Sequence, residues 1–219
     1  MKKDPPVKIC TETQLAQSMH FFNEETGGII PEIDLSTTFK RDKNYNPLGS
    51  HIYAREGNYT TSQAEKIVQC LDQSEDTLLF SSGMSALSTL MDTLKIGDHI
   101  IIQEPIYYAI ADYIKSVCPR RGVELTTIHC NNMHELYKHI KKGKTKFVWI
   151  ETPSNPHWIN VDIKKISQIT APLECKLIES RSKLFNSDIT CSSFFDSSIS
   201  YLTSQYFSIQ IFPFFIVIK

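Results

Sequence analysis

A chain of 219 residues, 41% hydrophobic and 21% charged, is long enough to bury a sizeable core and too apolar to be a disordered polymer. Its formal net charge of -1 gives no basic surplus for a nucleic acid or an anionic membrane surface, so a small-molecule partner fits better. Six cysteines (Cys10, Cys70, Cys118, Cys130, Cys175, Cys191) include no C-x-x-C pair, which argues against a zinc site or a disulfide framework and for reducing cytosol.

The opening stretch MKKDPPVKIC passes through Asp4 and two prolines instead of an apolar run, which argues against a secretory signal. From Lys40 to Thr170 short apolar runs alternate with helical stripes, a βαβ rhythm. Ser62-Gln63-Ala64-Glu65 reads as a capping box, opening a helix with Ala64, Ile67, Val68 and Leu71 on its apolar face. A strand over Thr77–Phe80 leads into Ser81-Ser82-Gly83 and a second helix presenting Met84, Leu87, Leu90, Met91 and Leu94, stopped by Gly97-Asp98. His99–Ile102 follows as a strand and Tyr107–Val117 as a helix. Leu125–His129, His134–Lys141 and Phe147–Ile150 read as strand, helix and strand. Parallel strands need crossover connections, so this alternation predicts an α/β fold: a mostly parallel sheet with helices on both faces and a ligand at the carboxyl ends of its strands.

From about Ala171 the rhythm fades: Ser, Phe, Ile and Tyr dominate and glycine is absent. An altered reading frame, a retained intron or degeneration would each produce such a tail. The apolar stretch Tyr206–Ile218 is shorter than the roughly 20 residues of a spanning helix, so no transmembrane segment is expected.

Phe80-Ser81-Ser82-Gly83-Met84-Ser85-Ala86 sits where a strand gives way to a helix, so free backbone N–H groups and the helix dipole form an anion seat there. Taken alone, such a turn is more often plain connection. Upstream, Tyr53-Ala54-Arg55 sets a phenol and a guanidinium two residues apart, on one side of an extended segment, where both can contact a phosphate. Downstream, Tyr107 opens the helix after the next strand, and Glu151-Thr152-Pro153-Ser154-Asn155-Pro156 follows the strand ending at Ile150. In a parallel sheet all of these except the Tyr-x-Arg segment fall on one edge.

In this order and spacing the set resembles the pyridoxal-phosphate-dependent enzymes of cysteine and methionine metabolism, the trans-sulfuration family of cystathionine γ-synthase, cystathionine lyases and methionine γ-lyase. The resemblance starts near Thr26-Gly27-Gly28-Ile29-Ile30-Pro31 and Ser36-Thr37-Thr38-Phe39 and runs through Val161-Asp162-Ile163. It implies the N-terminal part of a fold type I (aspartate-aminotransferase-like) large domain, with pyridoxal 5'-phosphate as cofactor and an amino acid as substrate. It further implies that Ser82, Gly83 and Met84 hold the cofactor phosphate, and that Tyr53 and Arg55 reach the phosphate of a neighbouring subunit in a dimer or tetramer. Tyr107 would stack on the pyridine ring and assist proton transfer, Asn155 would hydrogen-bond the cofactor's phenolic oxygen, and Glu151 would support that corner.

The sequence departs from the family in two ways. Asn58-Tyr59-Thr60 replaces the usual Asn-Pro-Thr, which affects a turn more than chemistry. The family also requires an aspartate for the pyridinium nitrogen about two dozen residues beyond Asn155 and a Schiff-base lysine about fifty beyond it. Those counts land near Glu179-Ser180 and Gln205-Tyr206; Glu179 matches only after a slip, Gln205 cannot form an imine, and Lys183 is misplaced.

The expected organisation is therefore an arm over 1–40, a partial cofactor-binding domain over 41–170, and a tail over 171–219 unlike the family, with the C-terminal domain missing. The expected function is lyase or γ-replacement transferase chemistry by resemblance, inactive in this chain and cytoplasmic. The alternative is a non-catalytic product that docks on an intact family member. Three further features have plain readings: His134 and His139 are five apart, off the shared face of a zinc helix; Asn58-Tyr59-Thr60 is a turn and not a glycan acceptor; Trp149 is core.

Overall fold

The computed structural model describes Cys10, Thr13, Ala16, Met19, residues 21–72 and 74–180, and the backbone of 208–212 and 215–218. It divides into two compact units, Met1–Thr77 and Leu78–Lys219.

In the first unit, helix α1 (Tyr59–Asp72) follows a loop region pinned by an antiparallel bridge between Thr38 and Tyr53. The helix starts before the expected capping box. Asn58 is its cap, accepting the Thr60 N–H at 2.8 Å, while the Thr60 hydroxyl accepts the Asp34 N–H at 2.8 Å. Ser62 consequently lies inside the helix and its hydroxyl contacts His51 Nε2 at 3.3 Å. Tyr59 takes the first helical position, where proline is tolerated because that N–H has no intrahelical acceptor. Its ring instead packs edge-on against Phe39 and His51, with centroids 5.4 and 4.6 Å away. None of the apolar face Ala64, Ile67, Val68 and Leu71 is fully buried.

Strand β1 (Asp76–Leu79) spans the division, and the second unit continues with α2 (Gly83–Asp92), β2 (His99–Glu104), α3 (Tyr108–Arg121) and β3 (Glu124–His129). Then come a 3-10 segment (Cys130–Lys138), β4 (Thr145–Glu151), α4 (Ile163–Thr170) and β5 (Lys176–Ser180). The helix expected over His134–Lys141 is replaced by this earlier 3-10 segment, because the His129 side chain accepts the Asn131 N–H and starts the turns there. Gly122 ends α3 in the left-handed region at φ 65°, and a Cβ there would sit 3.2 Å from Ile96 Cγ2.

The seven-stranded sheet has the order β1-β7-β6-β5-β4-β2-β3, where β6 is Ser208–Phe212 and β7 is Phe215–Ile218. β3, β2, β4, β5 and β6 pair in parallel, and β7 runs antiparallel to β6. β5 lies within the stretch where the sequence rhythm fades, yet Leu177 and Ile178 are buried and β5 runs in register with β4.

Alternation along the strands sorts the core into two layers. Ile100, Ile102, Phe147, Trp149 and Ile178 pack with α2 and α3 on one face. Ile101, Val148, Ile150 and Leu177 pack with the 3-10 segment and α4 on the other. The sheet is thus buried on both faces, as the long apolar runs require, and Trp149 is core at 1% exposure.

Candidate active site at the strand ends

The turn after β1 folds as an N-cap. Ser82 is extended (φ -163°, ψ 161°) and its Oγ accepts the Ser85 N–H at 3.1 Å, while the Ala86 N–H closes on Ser82 O. Gly83 and Met84 are the first two helical residues, so their N–H groups have no intrahelical acceptor and mark the positive end of the helix dipole. Ser81 and Ser82 hydroxyls both meet the Ser85 hydroxyl, at 3.1 and 2.9 Å. Three hydroxyls and two amides with small side chains around them form a surface suited to an anion. Met84 packs against the core layer that contains Ile106, which anchors the turn on the α3 side of the sheet.

The second cluster lies at the carboxyl ends of β2 and β4, which share one edge because the strands are parallel. Glu151, the last residue of β4, is 3% exposed. Its Oε2 accepts the Tyr107 N–H at 2.8 Å and the Asn155 N–H at 3.1 Å, so one carboxylate ties the entry of α3 to the loop after β4. Burial pushes the Glu151 carboxyl above its ordinary value, and the N–H groups of Asn155 and Tyr107 oppose that shift. The loop beyond is held by its own bonds: Ile159 N–H to Ser154 Oγ at 3.2 Å and Val161 N–H to Thr152 Oγ1 at 3.2 Å. Its start is held by the Thr152 N–H to Ser180 O at 3.2 Å.

Tyr107 is partly exposed and its ring meets that of Tyr108 with centroids 4.8 Å apart. Hydrogen bonding with the Tyr108 side chain, then the charge of Tyr108, desolvation and the charge of Glu151, raise the Tyr107 phenol above its ordinary value. The phenol therefore holds its proton more tightly than an ordinary tyrosine does.

Gln103 was not legible as a site residue. It is fully buried, its Nε2 donates to Glu151 O at 3.1 Å and to Pro105 O at 3.2 Å, and its Oε1 accepts the Glu151 N–H at 3.4 Å. The only signal was a polar residue near the end of the apolar run Ile100-Ile101-Ile102.

Tyr53 and Arg55 belong to the first unit. The expected extended segment is a turn, with the Glu56 and Gly57 N–H groups both directed to Tyr53 O. The tighter backbone places the Arg55 guanidinium over the Tyr53 ring, 4.4 Å from its centroid, so the two side chains still present one surface.

Among the described residues, no group of three or more His, Cys, Asp or Glu side chains could hold a metal ion. No helix among them is long and apolar enough to cross a membrane.

Residues 12–179 match the family model for Cys/Met metabolism PLP-dependent enzymes. The chain belongs to that family. Cystathionine gamma-lyase of Saccharomyces cerevisiae is 34% identical over 143 residues, covering 65% of this chain and 36% of that protein. Cystathionine beta-lyase MetC of Bacillus subtilis is 31% identical over 164 residues, covering 75% of this chain and 42% of that protein. The crystal structure of metB from Corynebacterium glutamicum superposes with a TM-score of 0.78 at 25% identity over 98% of this chain and 56% of that one. The matched part of the chain thus spans less than half the length of these two curated relatives. The family fold is the expected α/β fold with a parallel sheet, and its cofactor is pyridoxal phosphate.

Within this Cys/Met metabolism family member, the position expected to pair with the pyridinium nitrogen falls on β5. Glu179 is 1% exposed and stands opposite Ile150. Alternation puts it on the same face as Leu177, away from the Trp149 and α3 side. Ser180 is on the α3 side, where its hydroxyl accepts the Trp149 Nε1–H at 3.2 Å and donates to Ile150 O. Gln205 and Lys183, the residues named for the Schiff-base position, lie outside the described residues.

Proposed function

We propose that this chain is the phosphate-gripping part of a pyridoxal-phosphate-dependent enzyme acting on carbon–sulfur bonds of amino acids, and that the 219-residue chain by itself binds without catalysing. One observation carries the reading: the Ser82 cap leaves the Gly83 and Met84 N–H groups open beside three serine hydroxyls, on a turn whose residues match the family's phosphate motif. These groups fit a dianionic phosphate, since they offer donors and carry no nearby carboxylate among the bonds described.

When bound, the cofactor supplies an electron sink for bonds at the substrate's α, β and γ carbons. Tyr107 would stack on its ring and would help pass a proton to a leaving sulfur or oxygen. Asn155 would donate its side-chain amide to the cofactor's phenolic oxygen. Glu151 holds both backbones in place. Tyr53 and Arg55 act as a stacked pair on the phosphate of a neighbouring subunit in a dimer or tetramer. Ile29, Ile30, Ile33 and Leu35 are mostly exposed on the arm, which supports self-association. The relatives' names support a cystathionine-type substrate and lyase chemistry; γ-replacement rests on the family resemblance alone. The proposed lack of catalysis rests on the counts beyond Asn155, which land near Glu179-Ser180 where the family has an aspartate and near Gln205-Tyr206 where it has a lysine, and on the absence of a lysine between Lys183 and Lys219. The working compartment is the cytoplasm.

The test compares binding of pyridoxal phosphate and of pyridoxal, which lacks the phosphate, by quenching of intrinsic fluorescence. Saturable binding of the first and none of the second supports the grip; equal affinity for both overturns it.

A further inference from the structure

We infer that Gln103 is a positioning residue: its buried side-chain amide fixes the end of β4 so that Glu151 can hold Tyr107 and Asn155 together. This rests on the reading that Tyr107 and Asn155 face the cofactor.

The pairing of β2 with β4 ends at Ile102 opposite Trp149. One residue further along β2, Gln103 keeps its backbone in register with Ile128 of β3, and turns its side chain to the β4 side. There its amide meets both backbone polar groups of Glu151, donating to the carbonyl at 3.1 Å and accepting from the N–H at 3.4 Å. A primary amide has the same donor and acceptor as a peptide unit, so the side chain adds one rung to the ladder where the backbone stops. Its second N–H is used as well, on Pro105 O at 3.2 Å, and that bond ties the rung to the turn leading into Tyr107.

Glu151 is thereby gripped by its backbone, and its carboxylate is aimed by that grip. The carboxylate's two bonds reach 44 residues back to Tyr107 and 4 residues forward to Asn155. Every polar atom of the Gln103 amide is engaged, all on groups that set the Glu151 corner. The cost of a fully buried amide is met only when these bonds all form, which makes the arrangement specific and not merely cohesive. Met at this position would fill the same volume with no hydrogen bonds.

Backbone amide exchange, followed by NMR in the full chain, reads this directly. Gln103→Met is expected to accelerate exchange of the Tyr107 and Asn155 amides by roughly fivefold to tenfold, the weight of one or two lost bonds. The Ile100 and Ile101 amides of the β2 ladder serve as the reference and stay within about twofold of wild type. Unchanged Tyr107 and Asn155 amides, or equal acceleration of all four, overturn the inference. Should Gln103→Met fail to fold, Glu151→Asp withdraws the carboxylate while leaving Gln103 in place. It is expected to expose both amides together, and protection of either in that variant counts against the clamp. Pyridoxal phosphate binding, measured in parallel, is expected to weaken several-fold in Gln103→Met. Wild-type chain that fails to bind the cofactor would defeat the functional reading, while the exchange data would still judge the role of Gln103.

Discussion

The carboxylate of Glu151 accepts the backbone N–H of Tyr107 at 2.8 Å, joining the end of β4 to the start of α3 across 44 residues of sequence. Replacing it tests whether that joint is polar or steric. Glu151→Leu leaves the Tyr107 and Asn155 amides without an acceptor and is expected to cost about 1–3 kcal/mol, measured by urea denaturation. Glu151→Gln keeps a carbonyl acceptor and is expected to cost less than about 1 kcal/mol. The two variants also differ from wild type in pH dependence. Burial raises the Glu151 carboxyl above its ordinary 4.5, so the folded chain holds that proton more tightly than the unfolded one. Stability associated with this group is full below 4.5 and falls as pH rises through the raised value. Glu151→Gln is expected to flatten that fall, and a curve parallel to wild type would contradict the assignment.

His99 gives a pH dependence of opposite sign. It is fully buried and bridges three strands, with Nδ1 2.7 Å from Thr145 Oγ1 and Nε2 2.8 Å from Thr126 Oγ1. Desolvation, and then the charge of Lys141, depress it below the ordinary 6.5; Glu124 opposes and His139 reinforces the shift. The unfolded chain takes up a proton that the folded chain refuses, so stability is present above 6.5 and is lost as pH falls toward the depressed value. His99→Gln is expected to be less stable than wild type at pH 7.5 but to lose less on acidification to pH 5, as read from denaturation midpoints at the two values.

Ser82 caps α2 through its hydroxyl, so Ser82→Ala is expected to cost about 0.5–2 kcal/mol and Ser82→Gly only a few tenths. Both variants remove a hydroxyl from the anion surface. Weaker phosphate binding in Ser82→Gly with stability nearly unchanged separates the grip from the cap, and unaltered binding in both removes Ser82 from the site.

The Tyr107 phenol is raised first by its hydrogen bonding with Tyr108. Tyr108→Phe is expected to bring Tyr107 back toward its ordinary value, seen by NMR titration of the ring resonances. No movement would show that another group holds the proton.

The parts of the structure set by local pattern were legible in the sequence. Alternating apolar periods located the strands from β1 to β4, and the Ser-Ser-Gly turn located α2 to within a residue of its start. What escaped depends on distant contacts. Ser62 with Glu65 satisfies the rules for a cap as well as Asn58 does. The choice is made by Asp34, whose N–H reaches Thr60 and whose carbonyl accepts from Asn58 at 3.2 Å. Gln103 escaped for the same reason, since its partner Glu151 is 48 residues away. From about Ala171 the sequence rhythm fades, and the tail's place in the sheet cannot be read from it. In the structure β6 and β7 occupy the places between β5 and β1, so those strands are paired. The run of apolar residues from Ile209 is a continuous strand pattern, and periodicity alone could not assign it a neighbour.

The central claim is a phosphate grip without its covalent chemistry. The most direct test is to incubate the purified 219-residue chain with pyridoxal phosphate at saturation, reduce with borohydride, and record the intact mass. The account predicts binding that depends on the phosphate and a mass spectrum of unmodified chain. One stoichiometric pyridoxyl adduct on a single lysine would contradict it.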